Sequence, residues 1–371
     1  MAPRSWAIPL AETIMQRNPG TPHDRLAGWS YYQAYTLRGF EMLWHSTGDR
    51  RYLDFIKRQL DPFVDGQGHL QGVTLDWLDN TMPGHMLVAL YEHTGDARYR
   101  SAATEIRRAF DDFPRNADGG FWHARSLPGE MWIDGVFMGQ MHLMRYGASI
   151  GDGAYCSDEA TRQIGIFAKH CLKGDSGLYL HAWAEQPDLP RVLPERIARW
   201  ADPETGLSSE VWSEGLGWYA LILVETLALL PPDHPRRAEV RDIFRGLAAG
   251  LKRTQDGATG GWFQVVDKGD RPGNWIDTSG SAMFTYALQR GIELGLLQPQ
   301  DYAPVVARGY QCIIANATVD EEGLVDIHGA CDGLGVQQSY AAYITAPRVV
   351  NAKEAVAGFL WATAIVEKPS Q

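Results

Sequence analysis

The chain has 371 residues, 45% of them apolar, and a formal net charge of -11. That length permits one large domain or two to three small ones, and the apolar share provides a core that excludes a disordered chain. The acidic balance and the lack of any basic patch exclude nucleic acid as a partner.

The first dozen residues, Met1 to Glu12, are too polar and too interrupted for a signal peptide. Helical spacing of apolar residues runs from Tyr31 to Trp44. Thr47-Gly48-Asp49 then ends that helix and caps a second one that runs to about Leu60. The same device returns 47 residues later as Thr94-Gly95-Asp96, between a helix ending near Tyr91 and one ending near Phe110. Weaker copies precede expected helices over Asp158 to His170, Arg236 to Leu251 and Tyr302 to Ala315. Glycine-rich loops lie between other helix ends: Asp65 to Gly72, Asp118 to Gly120, Gly174 to Tyr179, Gly257 to Gly261 and Glu321 to Gly323. A two-helix period of this length signals a helical array. About twelve helices are expected, and closing six hairpins on themselves leaves no unpaired ends. The expected fold is therefore all-α, an (α/α)6 barrel forming a single catalytic domain over 1–371, with the glycine-rich loops gathered at one end as the cleft. An open superhelix is the other arrangement of such repeats.

No run is apolar enough to span a membrane. Cys156, Cys171, Cys312 and Cys331 have neither metal-ligand spacing nor the density of a disulfide framework, and they fit a reducing compartment. A cytoplasmic protein is the expectation. Thirteen tryptophans and fifteen tyrosines make carbohydrate a candidate ligand, because the apolar face of a pyranose packs on an aromatic ring. The same residues also fill large helical cores.

The candidate chemistry is acidic. Asp134 stands in Met131-Trp132-Ile133-Asp134-Gly135-Val136-Phe137-Met138 at a helix start. Burial against Trp132 and Phe137 would raise its pKa and let it donate a proton near neutrality; a helix cap is the plainer role. Asp79 occupies the matching place one hairpin earlier, ahead of the helix from His85 to Tyr91, and two carboxylates facing one space push one titration upward. His181 follows Gly177-Leu178-Tyr179-Leu180, and His123 follows Gly120-Phe121-Trp122; each ends an apolar loop, as a ligand-facing or a structural histidine would. No zinc-binding spacing, nucleophile elbow or phosphate loop occurs, so neither metal nor organic cofactor is expected. Trp212-Ser213-Glu214-Gly215-Leu216-Gly217-Trp218 places tryptophans around glycines that allow either a ligand or a packed helix to approach. Asp277 or Thr278 can cap the helix that contains Ser279-Gly280-Ser281-Ala282-Met283.

In their order these segments resemble glycoside hydrolase family 105, the unsaturated rhamnogalacturonyl hydrolases, and more distantly the unsaturated glucuronyl hydrolases of family 88. The resemblance runs from Gly28-Trp29-Ser30-Tyr31 to Asn351. It implies an (α/α)6 barrel and release of a 4,5-unsaturated uronic acid from the non-reducing end of lyase-generated oligosaccharides. A general acid protonates C4, water adds at C5, and the hemiketal opens with loss of the glycosidic bond. The resemblance puts Asp134 at the catalytic acid/base, Asp79 at the second carboxylate and His181 at a histidine near the hydrated carbon. Trp212 and Trp218 fall on the cleft wall; His123, Tyr31, Arg125 and Glu214 are the other candidate substrate contacts. The chain departs from the family pattern at Glu214, where an arginine is usual, at Ala124, where a lysine is usual, and at Met141-His142, where Pro-Phe is usual. A changed sugar beyond the unsaturated residue is the expected consequence. The expected partner is a small unsaturated oligosaccharide, and the expected state is a monomer or weak homo-oligomer. A sugar epimerase or lyase on the same barrel, using His123, His142 and His181, and a non-catalytic sugar-binding barrel are the alternatives.

Overall fold

The computed structural model describes residues 5–186 and 198–367. Within them the helices are α1 (Ala7–Arg17), α2 (Tyr31–Thr47), α3 (Arg50–Leu60), α4 (Gly84–Thr94), α5 (Ala97–Ala109), α6 (Ile133–Ser149), α7 (Gly153–Cys171), α8 (Ser213–Leu229), α9 (Arg237–Thr254), α10 (Thr278–Glu293), α11 (Pro299–Ala315), α12 (Tyr340–Ile344) and α13 (Lys353–Val366). The Thr-Gly-Asp device works as its residues dictate. Gly48 and Gly95 end α2 and α4 in the left-handed region, both at φ 71°, where glycine has no Cβ to clash. Asp49 and Asp96 then accept the backbone N–H of Arg51 and Arg98 as caps of α3 and α5.

Burial sorts the helices into two rings. Every residue from Ser213 to Leu227 of α8 and from Glu354 to Ile365 of α13 is buried, and helices of that kind belong inside. In contrast, α3 buries only the stripe Tyr52, Leu53, Phe55, Ile56, Gln59 and Leu60. The inner helices α2, α4, α6, α8, α10 and α13 touch in that order, and α13 returns to α2. Behind them stand α3, α5, α7, α9, α11 and α1, each packed on its own inner partner. The fold is an (α/α)6 barrel.

The two glycines in the Trp212–Trp218 segment serve packing rather than ligand approach. A Cβ on Gly217 would lie 2.3 Å from Met283 Sδ, and one on Gly215 would lie 2.9 Å from Ile133 Cγ2. Small residues thus let α8 sit close to α10 and α6.

The sixth helix pair joins the start of the described chain to its end, since α1 backs α13. Glu367 fastens them. Its carboxylate accepts Ser5 Oγ at 2.6 Å, the backbone N–H groups of Trp6 and Ala7 at 2.9 and 3.0 Å, and Tyr310 OH at 2.6 Å. It therefore satisfies N–H groups at the start of α1 that lack intrahelical partners. Losing such an acceptor costs about 0.5–2 kcal/mol, so Glu367→Ala is expected to lower Tm by roughly 1–3 °C. Scanning calorimetry reads that shift, and turnover should be unaffected.

All six inner helices begin at one end of the barrel. Tyr31, Asp134, Glu214, Thr278 and Glu354 lie in first turns, and Asp79 lies in a 3₁₀ turn, Leu78–Thr81, just before α4. At α4, α6 and α8 no side chain caps the helix start, whereas at α13 Asp332 accepts the Lys353 N–H at 3.0 Å. The aligned peptide dipoles of the inner helices point their positive ends to this side of the ring.

Candidate active site

A short antiparallel pair brings the first two candidates together. Glu130–Trp132 pairs with Ala182–Ala184, with Trp132 opposite Ala182. One step further, Ile133 N–H donates to His181 O at 2.9 Å. His181, just before one strand, and Asp134, just after the other, are thereby neighbours: Nε2 of His181 lies 3.0 Å from Oδ2 of Asp134. The other imidazole nitrogen, Nδ1, lies 2.7 Å from the Tyr343 hydroxyl. That hydroxyl also accepts the Gln337 N–H at 3.2 Å, and burial pushes the Tyr343 pKa far up, so the phenol keeps its proton. With its lone pair engaged by Gln337, the phenol is best placed to donate to Nδ1. This arrangement leaves the proton of a neutral imidazole on Nε2, facing Asp134.

Asp79 is placed by a second backbone tie. Leu78 N–H donates to His123 O at 3.0 Å, and His123 N–H donates to Glu130 O at 2.7 Å. His123 is buried between Trp132, stacked at 4.5 Å, and Trp77, edge-on at 5.5 Å. Its Nε2 stands 3.7 Å from Asp79 Oδ1, an oxygen that is itself buried with no hydrogen-bond partner. Burial raises the Asp79 pKa; His123 opposes that shift and the nearby Asp134 charge adds to it.

These groups open into a cleft of about 300 Å³, at the small end of ligand pockets. Trp77, Trp132, Trp212 and Trp218 line it, together with Tyr31, Met138, Glu214 and the loop Gly333–Gly335. Trp218 is stacked 4.9 Å from Phe137, and Trp212 lies 4.5 Å from His181. The cleft thus has aromatic walls and a carboxyl floor, and among the described residues that line it there is no lysine or arginine.

The structure gathers Asp79, Asp134, His123, Tyr31, Trp212, Trp218 and Glu214 around one space, with His181 directly behind Asp134. Arg125 is not among them. It lies at the surface, paired with Asp112 at 2.8 Å and packed over Phe113, because the bridge between Trp77 and Ala124 turns the chain outward there. The glycine-rich loops do not line the cleft either. Several are tight bridged turns, Val64 to Leu70, Arg115 to Phe121 and Leu172 to Tyr179, and the cleft is built from helix starts instead. Asp134 lies inside the first turn of α6 without capping it, whereas Asp277 does cap α10.

Sequence reasoning missed Tyr343 and Glu354. The first lies on α12, a single short turn with no periodic signal. The second accepts the Tyr31 hydroxyl at 2.6 Å from 323 positions along the chain, a contact that only ring closure creates.

Among the described residues one group has metal-like spacing: Glu41, His45 and His93, at the opposite end of the barrel. Its carboxylate is already held by Arg145, at 2.5 and 2.8 Å, and by Arg38 at 2.9 Å. Two guanidiniums on the only anionic ligand oppose a divalent ion there.

The model of Glycosyl Hydrolase Family 88 matches residues 6–369. The structure of a family 105 glycoside hydrolase from C. acetobutylicum ATCC 824 superposes with a TM-score of 0.90 at 30% identity, over 98% of this chain and 99% of that one. A protein of Agrobacterium fabrum, Protein Atu3128, is 36% identical over 199 residues, which are 52% of this chain and 78% of that protein. The unsaturated glucuronyl hydrolase of Bacillus sp. GL1, responsible for the degradation of glycosaminoglycan, superposes with a TM-score of 0.69 at 14% identity, over 98% and 95% of the two chains. That last likeness is one of fold.

Proposed function

The chain belongs to Glycosyl Hydrolase Family 88, and we propose that this glycoside hydrolase releases a 4,5-unsaturated uronic acid by hydrating its enol ether, with residues 1–371 acting as one catalytic domain. The observation that carries the reading is the Asp134–His181 contact at the floor of a tryptophan-walled cleft, with Asp79 alongside.

The reaction follows from where the groups lie. Asp134 acts as the general acid and delivers a proton to C4 of the unsaturated ring, and the double-bond electrons move to form that C–H bond. Positive charge develops at C5 and is shared by the ring oxygen. Water adds at C5 and returns a proton to the Asp134 carboxylate. The hemiketal opens to a ketone, and C1 becomes a hemiacetal that sheds the next sugar as its alcohol. Protons balance, and Asp134 ends the cycle as it began. His181, through Nε2–H on Oδ2, fixes the carboxyl so that Oδ1 is the oxygen free to face the substrate. Asp79 is the second carboxyl available to orient the water. The rule that reads stereochemistry from carboxylate separation does not apply, because no bond at C1 is attacked.

An anionic substrate in an acidic cleft needs a source of attraction. The uncapped start of α6, whose first turn reaches the cleft at Asp134, is the source this reading assigns, since helix N-termini hold carboxylates through N–H groups and the aligned dipole.

The test is direct. Purified protein mixed with oligosaccharides from a polysaccharide lyase is expected to abolish the ultraviolet absorbance of the conjugated enol acid. A panel of products from different polymers that all keep their absorbance would sink the reading. Tyr343→Phe should lower kcat about 3–10-fold with KM little changed, on the order of one lost orienting hydrogen bond. Steady-state kinetics with melting as a control would check it, and an unchanged kcat would mean that Tyr343 does not position His181.

A further inference from the structure

The proton count around Ser279 does not close unless a carboxyl beside the cleft is neutral. Ser279 Oγ lies 2.9 Å from Glu214 Oε2 and 2.9 Å from each oxygen of Asp277. One hydroxyl carries one proton, so it cannot donate to both carboxylates. Asp277 has other donors, the N–H groups of Ser279 and Gly280 at 3.2 and 2.8 Å, at the positive start of α10. Glu214 has Ser279 alone among the described residues. The consistent chain is a proton on Glu214 Oε2 donated to Ser279 Oγ, whose own proton goes to Asp277.

The surroundings agree. Glu214 is 1% exposed. Around it stand Asp134 from α6, Asp277 at α10, Glu354 on α13, Tyr31 and Tyr35 on α2, and Cys331, with no cation among them. Burial, then the charges of Glu354 and Asp277, push its pKa well above the carboxylate range; Ser279 only partly opposes them.

We propose that Glu214 lines the cleft as an uncharged hydrogen-bond acceptor through Oε1, and that it selects a substrate with a free sugar hydroxyl at that wall over one with a carboxylate or sulfate ester there. This rests on the hydrolase reading of the same cleft. An acceptor lone pair welcomes a hydroxyl proton. It repels an anionic oxygen, which an arginine at this position would attract. A buried polar group left unpaired is what makes such discrimination large.

Two measurements decide it. The first needs no substrate. Glu214→Gln keeps the shape, and its amide N–H donates to Ser279 as the acid would. A carboxyl that is neutral when folded and ionised when unfolded binds its extra proton in the native state, so wild-type stability falls as pH rises above the ordinary glutamate value of 4.5. Glutamine does not titrate. The variant should therefore match wild type near pH ~4.5 and exceed it by several degrees in Tm near pH ~8. A Tm difference that is flat with pH, or that moves the other way, overturns the proposal. The second uses lyase products of one backbone whose sugar beside the unsaturated residue is either unsubstituted or sulfated. Wild type should prefer the hydroxyl form by at least about 10-fold in kcat/KM, and Glu214→Ala should shrink that ratio. Equal use of both forms, or preference for the sulfated one, overturns the proposed selectivity. A protein that hydrates neither, yet shows the pH-dependent gain with Gln, would refute the hydrolase reading and uphold the neutral acid.

Discussion

Asp134→Asn is expected to lower kcat on an unsaturated oligosaccharide by about 10²–10⁴-fold, the contribution of a positioned general acid. The amide matches the carboxyl in volume and keeps a partner for His181 Nε2, whose contact at 3.0 Å orients the side chain. It has no acidic proton to give to carbon, so only the chemical step should suffer. KM should change little. Stability should also change little, because Asp134 does not cap α6, and the loss of rate then cannot be blamed on unfolding. Absorbance assays at saturating substrate with a parallel melt make the comparison. A variant within a few-fold of wild type would remove Asp134 from the mechanism, and with it the reading of the cleft.

Glu41→Ala should do the reverse, damaging stability while sparing chemistry. Its side chain is fully buried in the cavity at the other end of the barrel, held by Arg145, Arg38 and His93. Burial alone would push its pKa up, but Arg145 and Arg38 hold it well below the usual carboxylate range. Removing the anion leaves two guanidiniums in a site built to neutralise it. Breaking a buried ion pair from one side costs about 3–5 kcal/mol. Glu92 and Glu225, which also pair with these arginines, place the expected loss near the lower figure. The pH dependence has a definite sign. A carboxyl depressed in the folded state adds stability above its ordinary value of 4.5 and loses it as pH falls through the folded value. The melting gap between wild type and Glu41→Ala should therefore be widest near neutrality and close in acid. Equal Tm values at pH ~7 would contradict the assignment.

Local signals made the ring legible in the sequence. Thr47-Gly48-Asp49 and Thr94-Gly95-Asp96 contain both the residue that tolerates positive φ and the residue that caps the next helix, and both act as written. Asp134 and Asp79 were visible because an acid among large apolar residues is costly without a purpose. What stayed hidden depends on closure. The pairing of α1 with α13, the Tyr31–Glu354 contact and the reach of Tyr343 to His181 join residues more than 150 positions apart, and no window of sequence contains them. Arg125 shows the converse. One place along the chain from a usual basic position, it faces out, because alternate residues at a bridge point to opposite sides.

The last inner helix of the described chain, α13, is backed by the first helix, and Glu367 clasps the two. During synthesis α1 emerges hundreds of residues before its mate. Until α13 leaves the ribosome, the flanks of α2 and α10 that it will cover stay open to water, and Glu354, the partner of Tyr31, has not yet arrived. The nascent protein is therefore an unfinished arc with two greasy edges, a surface of the kind that promotes sticking to neighbours. Ring closure is thus a late event of high contact order.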